Sequence, residues 1–292
     1  MSKIIGAIDV GSNAARLLIG QVVQEKSHAF IKKISYTRLP LRLGEEVFEN
    51  GRISDKKKTE FVKTMKAFAL IADLFEVDAL RACATSAMRD AENNQDVLLA
   101  IKHETGIDLE VISGNEEANL IFETFSILQL NHNKPFVVMD VGGGSTEISV
   151  FEKGKRTKSK SFEIGTLRLL KGKVEESTWK NLKQWIQTHL SHEEHLIYGT
   201  GGNINKIHKL LGVKEMKPIS TDKLKKLMNQ LCDLSNEERM DKFQLKPDRA
   251  DVIVPALEVY LNCLNTMKAK EIYVPKVGLS DGIIVDLTHK LS

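Results

Sequence analysis

The chain has 292 residues, and 42 Lys and Arg against 39 Asp and Glu leave a formal net charge of +3. Its 42% hydrophobic and 28% charged residues are typical of a globular protein and exclude a disordered or fibrous chain. The small net charge argues against nucleic acid as a partner, and no apolar run approaches the roughly 18 residues that span a bilayer. The length predicts about two domains.

The cysteine content and the N-terminus indicate a cytoplasmic protein. Cys83, Cys232 and Cys263 are too few and too scattered for a disulfide framework or a paired metal site. Their apolar neighbours predict small core residues in a reducing compartment. Residues 1–3 lead straight into an apolar strand pattern without the cleavage site of a signal peptide.

The first half of the chain is predicted to open with three strands, at residues 4–8, 17–23 and 28–36. Helices and strands then alternate. The predicted order is a helix at 56–75, a strand at 79–84, a helix at 86–104, a strand at 109–112 and a helix from the Ser113 cap to about residue 129.

The second half is also predicted to open with three strands, which helices and strands follow. Its predicted strands are 136–139, 148–151, 156–163, 196–198 and 271–274, and its predicted helices are 177–190, 203–211, 222–231, 236–240, 251–267 and 281–291. Such alternation predicts α/β domains with mixed sheets flanked by helices. The polar segment 131–135 ends in proline, so we expect domains of residues 1–131 and 132–292, with the last helix able to pack back on the first domain.

A short motif occurs once in each half. Residues 7–13 read AIDVGSN and residues 138–146 read VMDVGGGST, so Asp9 and Asp140 each end an apolar run and precede a glycine. Each motif predicts a strand, a tight glycine turn and a second strand. Because the two motifs lie almost half a chain apart, they indicate two similar domains and not a solenoid.

The glycine turn of the second half suits a phosphoryl group. Consecutive glycines present backbone N–H groups with no Cβ to block an anion. Asp140, at the end of a strand predicted to be buried, is placed to hold Mg²⁺, and Glu147 to share that ion. A plain hairpin turn is the alternative for one such motif, and the presence of two matched motifs favours phosphate binding.

Two neighbouring glutamates near the start of the helix after Ser113 have different expected roles. Glu116 is the third helical residue of a capping box, so its expected partner is the Ser113 amide. Glu117 points about 100° further round the helix and is expected to stay ionised near the helix N-terminus, which suits a group that orients water. A solvated surface glutamate is the alternative.

Seven sequence strings occur together in an order that matches one known family. They are DVGSNAARLLIG (9–20), LRLGE (41–45), ATSAMRDAEN (84–93), SGNEEANLIF (113–122), DVGGGSTE (140–147), GTGGNINKI (199–207) and RADVIVPA (249–256). They resemble the exopolyphosphatase/guanosine-pentaphosphate phosphohydrolase (Ppx/GppA) family over essentially the whole chain. The resemblance implies the two-domain actin-like, ribonuclease-H-like fold, an active site in the interdomain cleft and a homodimer.

The resemblance also implies roles for individual residues. Glu117 resembles the catalytic glutamate, while Asp140 and Glu147 resemble the acidic residues tied to Mg²⁺ and to the nucleophilic water. Asp9, before the first turn, is predicted as a further metal ligand. The predicted phosphate-binding residues are Gly11, Ser12, Asn13, Arg89, Gly142, Gly143, Gly144, Ser145 and Thr146.

Two departures from the family pattern and one basic stretch bear on the substrate. Ala14 stands where the family often has serine, and Gly201 with Gly202 stands where it commonly has a Ser/Gly pair, so affinity or substrate choice is expected to differ. Residues 153–160 hold five basic side chains. We expect them on a solvated hairpin tip, with guidance of polyphosphate as the alternative.

The predicted function is Mg²⁺-dependent removal of the terminal phosphate of inorganic polyphosphate by a glutamate-activated water. The alternatives are 5′-phosphate removal from guanosine pentaphosphate, a kinase or ATPase of the actin-like superfamily, and a non-catalytic polyphosphate or nucleotide sensor. Longer family members add C-terminal helical domains, so a chain of this length is expected to prefer short or medium polyphosphate. No nucleic acid or membrane partner is expected.

Overall fold

The structure, a computed structural model, describes residues 3–25, 28–128, 134–190, 195–214 and 217–291. The chain divides into two compact units, which we call unit 1 (Met1–Leu130 with Val277–Ser292) and unit 2 (Asn131–Lys276). Within the described ranges, no helix combines the length and the apolar character that crossing a membrane requires.

Unit 1 is built on a five-stranded sheet in the order β3-β2-β1-β4-β5. The strands are β1 (Ile5–Val10), β2 (Ala15–Glu25), β3 (His28–Leu39), β4 (Ala79–Ala84) and β5 (Leu109–Val111). β1 is antiparallel to β2 and parallel to β4, and β4 is parallel to β5. Because parallel strands end at the same edge of a sheet, the segments that follow β1, β4 and β5 meet there.

The helices of the first half of the chain connect these strands. They are α1 (Leu43–Asn50), α2 (Asp55–Leu74), α3 (Ser86–Asp90), α4 (Asn94–Thr105) and α5 (Gly114–Ile127). α5 starts at an N-cap, Ser113, whose side chain accepts a hydrogen bond from the Glu116 amide at 3.2 Å. This cap places the first turn of α5 directly after the end of β5.

Unit 2 repeats the plan with a four-stranded sheet in the order β8-β7-β6-β9 and a two-stranded sheet, β10-β11. Its strands are β6 (Phe136–Val141), β7 (Thr146–Glu152), β8 (Lys155–Phe162), β9 (Leu196–Thr200), β10 (Ile219–Ser220) and β11 (Glu271–Ile272). Its helices are α6 (Thr166–Leu170), α7 (Glu176–Leu190), α8 (Gly202–Leu210), α9 (Thr221–Cys232), α10 (Asn236–Phe243), α11 (Pro247–Ala250) and α12 (Ile253–Thr266). α12 is mostly buried and packs against α6, α7, α8 and α9.

The chain then returns to unit 1 as α13 (Leu279–Leu291), which packs against α5, β1 and β2. In both units three antiparallel strands are followed by a strand parallel to the first, β4 in unit 1 and β9 in unit 2. The mixed sheets flanked by helices agree with the predicted fold class.

Several predicted elements differ in the structure. The helix predicted at 86–104 is split into α3 and α4, because Asn93 uses its side-chain amide to exchange two hydrogen bonds with the backbone of Ile53. The helix predicted at 251–267 is preceded by a separate short helix, α11, that starts at Pro247. The elements α1, α6 and β10 were not predicted, because each is too short for its apolar residues to form a recognisable period.

Two predictions about single side chains are wrong. Cys83 and Cys263 are buried as predicted, but Cys232 is exposed because it lies beside the stripe of α9 that faces the core, not in it. The capping box after Ser113 is only half formed. The Glu116 carboxylate accepts from Arg81 at 2.7 Å, so an ion pair within reach replaces the expected bond to the backbone.

Candidate functional site

The two glycine turns are built alike. In unit 1 the Gly11 amide donates to the Ala14 carbonyl oxygen at 3.1 Å, and in unit 2 the Gly142 amide donates to the Ser145 carbonyl oxygen at 2.9 Å. Each turn joins two antiparallel strands, the first of which is mostly buried. The repeat noted in the sequence is therefore a repeat of backbone structure.

The residue opposite each aspartate differs between the units. In unit 1 the register pairs Asp9 with Arg16, and their Oδ2 and Nη1 atoms are 2.6 Å apart. In unit 2 the register pairs Asp140 with Glu147. Like charges directly opposite each other on a sheet repel, so this second pair favours a bound cation, whereas the charge of Asp9 is already balanced by Arg16.

Three consecutive carbonyl groups of the unit 2 turn accept hydrogen bonds from the start of α6. The pairs are Gly142 with the Thr166 amide (3.0 Å), Gly143 with the Leu167 amide (2.8 Å) and Gly144 with Arg168 Nε (2.7 Å). In a planar trans peptide the N–H points away from the carbonyl, so the following amides, of Gly143, Gly144 and Ser145, point away from α6. No group in the described residues accepts from these three amides, so they are available to an anion, as the sequence predicts.

The unit 1 turn is held in the same way by the start of α1. The Ser12 carbonyl oxygen accepts from the Gly44 amide at 2.9 Å, and the Asn13 carbonyl oxygen accepts from the Arg42 amide at 2.9 Å. The Ser12 hydroxyl is buried and has no hydrogen-bond partner among the described residues. Burying a hydroxyl without a partner is unfavourable, so this group points to a ligand that supplies one.

Hydroxyl groups hold the two carboxylates of unit 2. Oε1 of Glu147 accepts from Ser145 Oγ at 2.6 Å and from Ser161 Oγ at 2.8 Å, and Glu147 itself is only 4% exposed. Oδ2 of Asp140 accepts from Thr200 Oγ1 at 3.1 Å. The carboxylates are therefore oriented by the fold before any ligand binds.

Gly201 shows why the loop after β9 has glycine at that position. Its backbone φ is +89°, a conformation that side chains rarely adopt, and a Cβ there would lie 2.5 Å from Oδ1 of Asp140. The departure from the family pattern noted at Gly201 thus coincides with close approach of the backbone to a predicted metal ligand.

Three side chains that the sequence analysis did not predict as site residues, Asn203, Arg249 and Tyr260, stabilise the ends of β6 and β9. Asn203 donates to the Val141 carbonyl oxygen at 2.9 Å and accepts from Arg249 Nη1 at 3.0 Å. The hydroxyl of Tyr260 donates to the Thr200 carbonyl oxygen at 3.1 Å. Burial, reinforced by the negative charge of Asp140, raises the pKa of Tyr260 well above its usual value, so this hydroxyl stays a donor.

The donor set of unit 2 fits Mg²⁺. Within the described residues no group of three or more His, Cys, Asp and Glu side chains is arranged to hold a metal ion. Mg²⁺ does not need such a group, because one or two carboxylates together with substrate phosphates and water are its usual ligands. Asp140 and Glu147 supply two carboxylates on one face of the sheet. The role predicted for Asp9 as a metal ligand stays a prediction.

In unit 1 the structure brings two predicted site residues together. Glu117 lies in the first turn of α5 and Arg89 at the end of α3, and their Oε2 and Nη1 atoms are 3.2 Å apart. Arg89 also donates to the Ile112 carbonyl oxygen at 2.8 Å. The Glu117 side chain is 13% exposed, which contrasts with a freely solvated helix glutamate. Both residues follow strands that end at the same sheet edge as the glycine turn.

The basic stretch at 153–160 forms the turn and most of β8, an edge strand. Most of its residues are exposed, and Lys160 Nζ lies 5.2 Å from the ring centroid of Phe162. Burial lowers the pKa of Arg156 from its usual value. Exposed charges on an edge strand prevent the strand from pairing with another chain, and this role alone explains the basic residues. Guidance of polyphosphate therefore stays an alternative.

A family model described as the Ppx/GppA phosphatase family matches residues 21–291. The chain belongs to the Ppx/GppA phosphatase family. It is 25% identical to Exopolyphosphatase 1 of Mycobacterium tuberculosis over 302 residues, which covers 96% of this chain and 87% of the relative. It is 27% identical to the bifunctional 3-dehydroquinate synthase/phosphatase of Fusobacterium nucleatum over 272 residues, 85% of this chain and 41% of that one.

Solved Ppx/GppA structures have the same fold. The family member from Aquifex aeolicus is 26% identical and superposes with a TM-score of 0.79 over 100% of this chain and 99% of its own. An exopolyphosphatase from Cytophaga hutchinsonii is 25% identical, with a TM-score of 0.84 over 99% of this chain and 98% of its own. The predicted actin-like α/β fold class is confirmed.

Proposed function

We propose that this Ppx/GppA protein is an exopolyphosphatase that hydrolyses the terminal phosphate of inorganic polyphosphate with Mg²⁺ as cofactor. The observation that supports this most directly is that the amides of Gly143, Gly144 and Ser145 have no acceptor among the described residues and lie in the turn between Asp140 and Glu147, which face each other. The amides suit anionic phosphoryl oxygens, and the carboxylates suit the divalent cation that accompanies a polyphosphate. Relatives named exopolyphosphatase support the same substrate.

In the proposed reaction Glu117 orients and deprotonates the attacking water. Its place in the first turn of α5 favours the ionised form, and Arg89 holds its Oε2. The water oxygen bonds to the terminal phosphorus, the bridging P–O bond breaks, and the electron pair leaves with the shortened chain. The water proton passes to Glu117, which acts as general base.

The glycine turns bind phosphoryl oxygens in this proposal. Within unit 2 the turn amides donate to non-bridging oxygens and stabilise charge that grows in the transition state. Within unit 1 the buried Ser12 hydroxyl is a donor suited to a phosphoryl oxygen. Asp140 and Glu147 would hold Mg²⁺, which when bound neutralises phosphate charge. Ser145, Ser161 and Thr200 keep those two carboxylates oriented.

The substitution Glu117→Gln tests the proposal. It keeps the shape of the side chain and removes the base, so we expect kcat for phosphate release from polyphosphate to fall by about 10²–10⁴-fold. Glu123→Gln, the same change further along α5, is the matched control and is expected to leave the rate unchanged. The measurement is orthophosphate release with Mg²⁺ in excess, repeated after chelation, which we expect to abolish turnover.

The same assay separates the alternatives. Guanosine pentaphosphate hydrolysed with a much higher kcat/KM than polyphosphate would make the protein a pentaphosphate 5′-phosphohydrolase. Phosphate transfer from ATP to an acceptor would identify a kinase, and tight polyphosphate binding without turnover would identify a sensor. Wild-type turnover by Glu117→Gln would reject Glu117 as the base.

A further inference from the structure

Arg81 joins three elements of unit 1 away from the glycine turn. Its guanidinium donates from Nη2 to Glu116 Oε1 of α5 at 2.7 Å and from Nη1 to Asp286 Oδ2 of α13 at 2.8 Å. Nη2 also contacts Glu110 Oε2 of β5 at 2.8 Å. The Arg81 side chain is only 10% exposed. One guanidinium thus connects β4 to a strand, a helix and the C-terminal helix.

The charges around Arg81 hold it in this arrangement. Glu110 and Glu116 are each nearly half exposed, while Asp286 is 20% exposed and also contacts Lys290 Nζ at 2.8 Å. The hydrogen bonds that Arg81 donates to the Glu110 carboxylate raise the pKa of Arg81 further above its usual value, so it stays charged. Partly exposed ion pairs contribute little to the free energy of unfolding. The planar guanidinium of Arg81, with its fixed donor directions, instead sets the orientation of the carboxylates that it binds.

α13 and α5 pack so closely that the position of α5 depends on the position of α13. Gly282 of α13 packs on the α5 backbone, where a Cβ would overlap the carbonyl oxygen of Leu120. Leu120 is one turn beyond Glu116 and Glu117. The first turn of α5 is therefore fixed from two sides, by the Arg81–Glu116 pair and by the backbone contact with α13.

We propose that Arg81 is a positioning residue for the reaction: through Glu116 and Asp286 it fixes the first turn of α5 so that Glu117 meets Arg89. Glu116 and Glu117 are consecutive on one helical turn, so a rotation of α5 that breaks the Arg81–Glu116 pair also moves the Glu117 carboxylate. Arg81 does not touch the Glu117–Arg89 pair in the described contacts, so it acts through the helix. This inference rests on the proposed role of Glu117.

Arg81→Gln and Glu116→Gln test this role. We expect Arg81→Gln to lower kcat by about tenfold to a hundredfold, the range for a catalytic group displaced by about 1 Å, with KM essentially unchanged. Glu116→Gln removes only the negative charge that Arg81 meets on α5, and it is expected to lower kcat in the same direction by less. Lys102→Gln, which removes the exposed pair with Asp108 in the same unit, is the control and is expected to keep the wild-type kcat.

A double-mutant cycle distinguishes positioning from general damage. If Arg81 acts through Glu117, Arg81→Gln has little further effect on the residual rate of Glu117→Gln. An equal loss in both backgrounds, or a rise in KM with unchanged kcat, would overturn the inference. If Arg81→Gln does not fold, the cycle is run with Glu116→Gln. Full activity of Glu117→Gln would instead reject the proposed function, so the two failures are distinguishable.

Discussion

At the scale of single residues, the conformation of Gly201 protects the orientation of Asp140. Its backbone φ of +89° and ψ of 175° lie in a region that is essentially restricted to glycine. The same residue faces Oδ1 of Asp140, whose other oxygen accepts from Thr200. A side chain at 201 would therefore strain the backbone and displace a carboxylate at once.

We predict that Gly201→Ala lowers kcat/KM for polyphosphate and the free energy of unfolding, the latter by about 1–3 kcal/mol. Gly212→Ala is the matched control, because Gly212 also has a positive φ, of +59°, but has no atom within 4 Å of an added Cβ. It is expected to lose stability without losing activity per folded molecule. Equal losses of activity in both variants, measured alongside urea unfolding, would contradict the role given to Asp140.

At the scale of elements, the short helices α1 and α6 position the two glycine turns, and the C-terminal helix α13 packs against α5. N–H groups at the start of α1 and of α6 donate to the carbonyl oxygens of one glycine turn each, so the amides of that turn point away from the helix. α13 covers β1 and β2 and approaches the α5 backbone at Gly282. None of these roles follows from periodicity, because each depends on a partner far away in the chain.

We predict that Gly282→Ala destabilises the protein by about 1–3 kcal/mol, since the added methyl group overlaps the Leu120 carbonyl oxygen and α13 must shift. Gly278→Ala is the control just before the same helix, where an added Cβ meets nothing within 4 Å. Thermal unfolding followed by circular dichroism compares the two. Equal melting temperatures would show that α13 and α5 are not in close contact.

At the scale of the whole molecule, the chain leaves unit 1, forms unit 2 and returns to complete unit 1 with residues 277–292. Both tryptophans of the chain, Trp179 and Trp185, lie in α7 of unit 2. Tryptophan fluorescence therefore follows the unfolding of unit 2 alone, while far-ultraviolet circular dichroism follows both units. The two signals allow the stability of each unit to be measured in one sample.

We predict that truncation after Lys276 destabilises unit 1 selectively, because it removes α13 from β1, β2 and α5. The circular dichroism transition should lose cooperativity while the tryptophan transition of unit 2 is retained. A chain ending at His289 removes only the exposed end of α13 and serves as control. Retention of a full, cooperative transition by the chain ending at Lys276 would show that unit 1 does not need α13.

The amino-acid sequence by itself determined the order of the longer strands and helices, the two matching turns and the family. These depend on local patterns: apolar runs that end in Asp and Gly, the Ser113 cap and strings read in order. The residues predicted for the site were chosen in the same way, and their catalytic roles remain predictions that the variants above test.

Only the tertiary structure decided which groups those residues meet. In the tertiary structure Asp9 forms an ion pair with Arg16, whereas Asp140 lies opposite Glu147 on the sheet. Glu116 forms an ion pair with Arg81, and Glu117 forms one with Arg89. The physical reason is that hydrogen bonds and ion pairs act over a few ångströms between residues up to hundreds of positions apart in the chain, as with Arg81 and Asp286. A local pattern sets what each side chain can bind, and the packing of strands and helices selects the partner that it does bind.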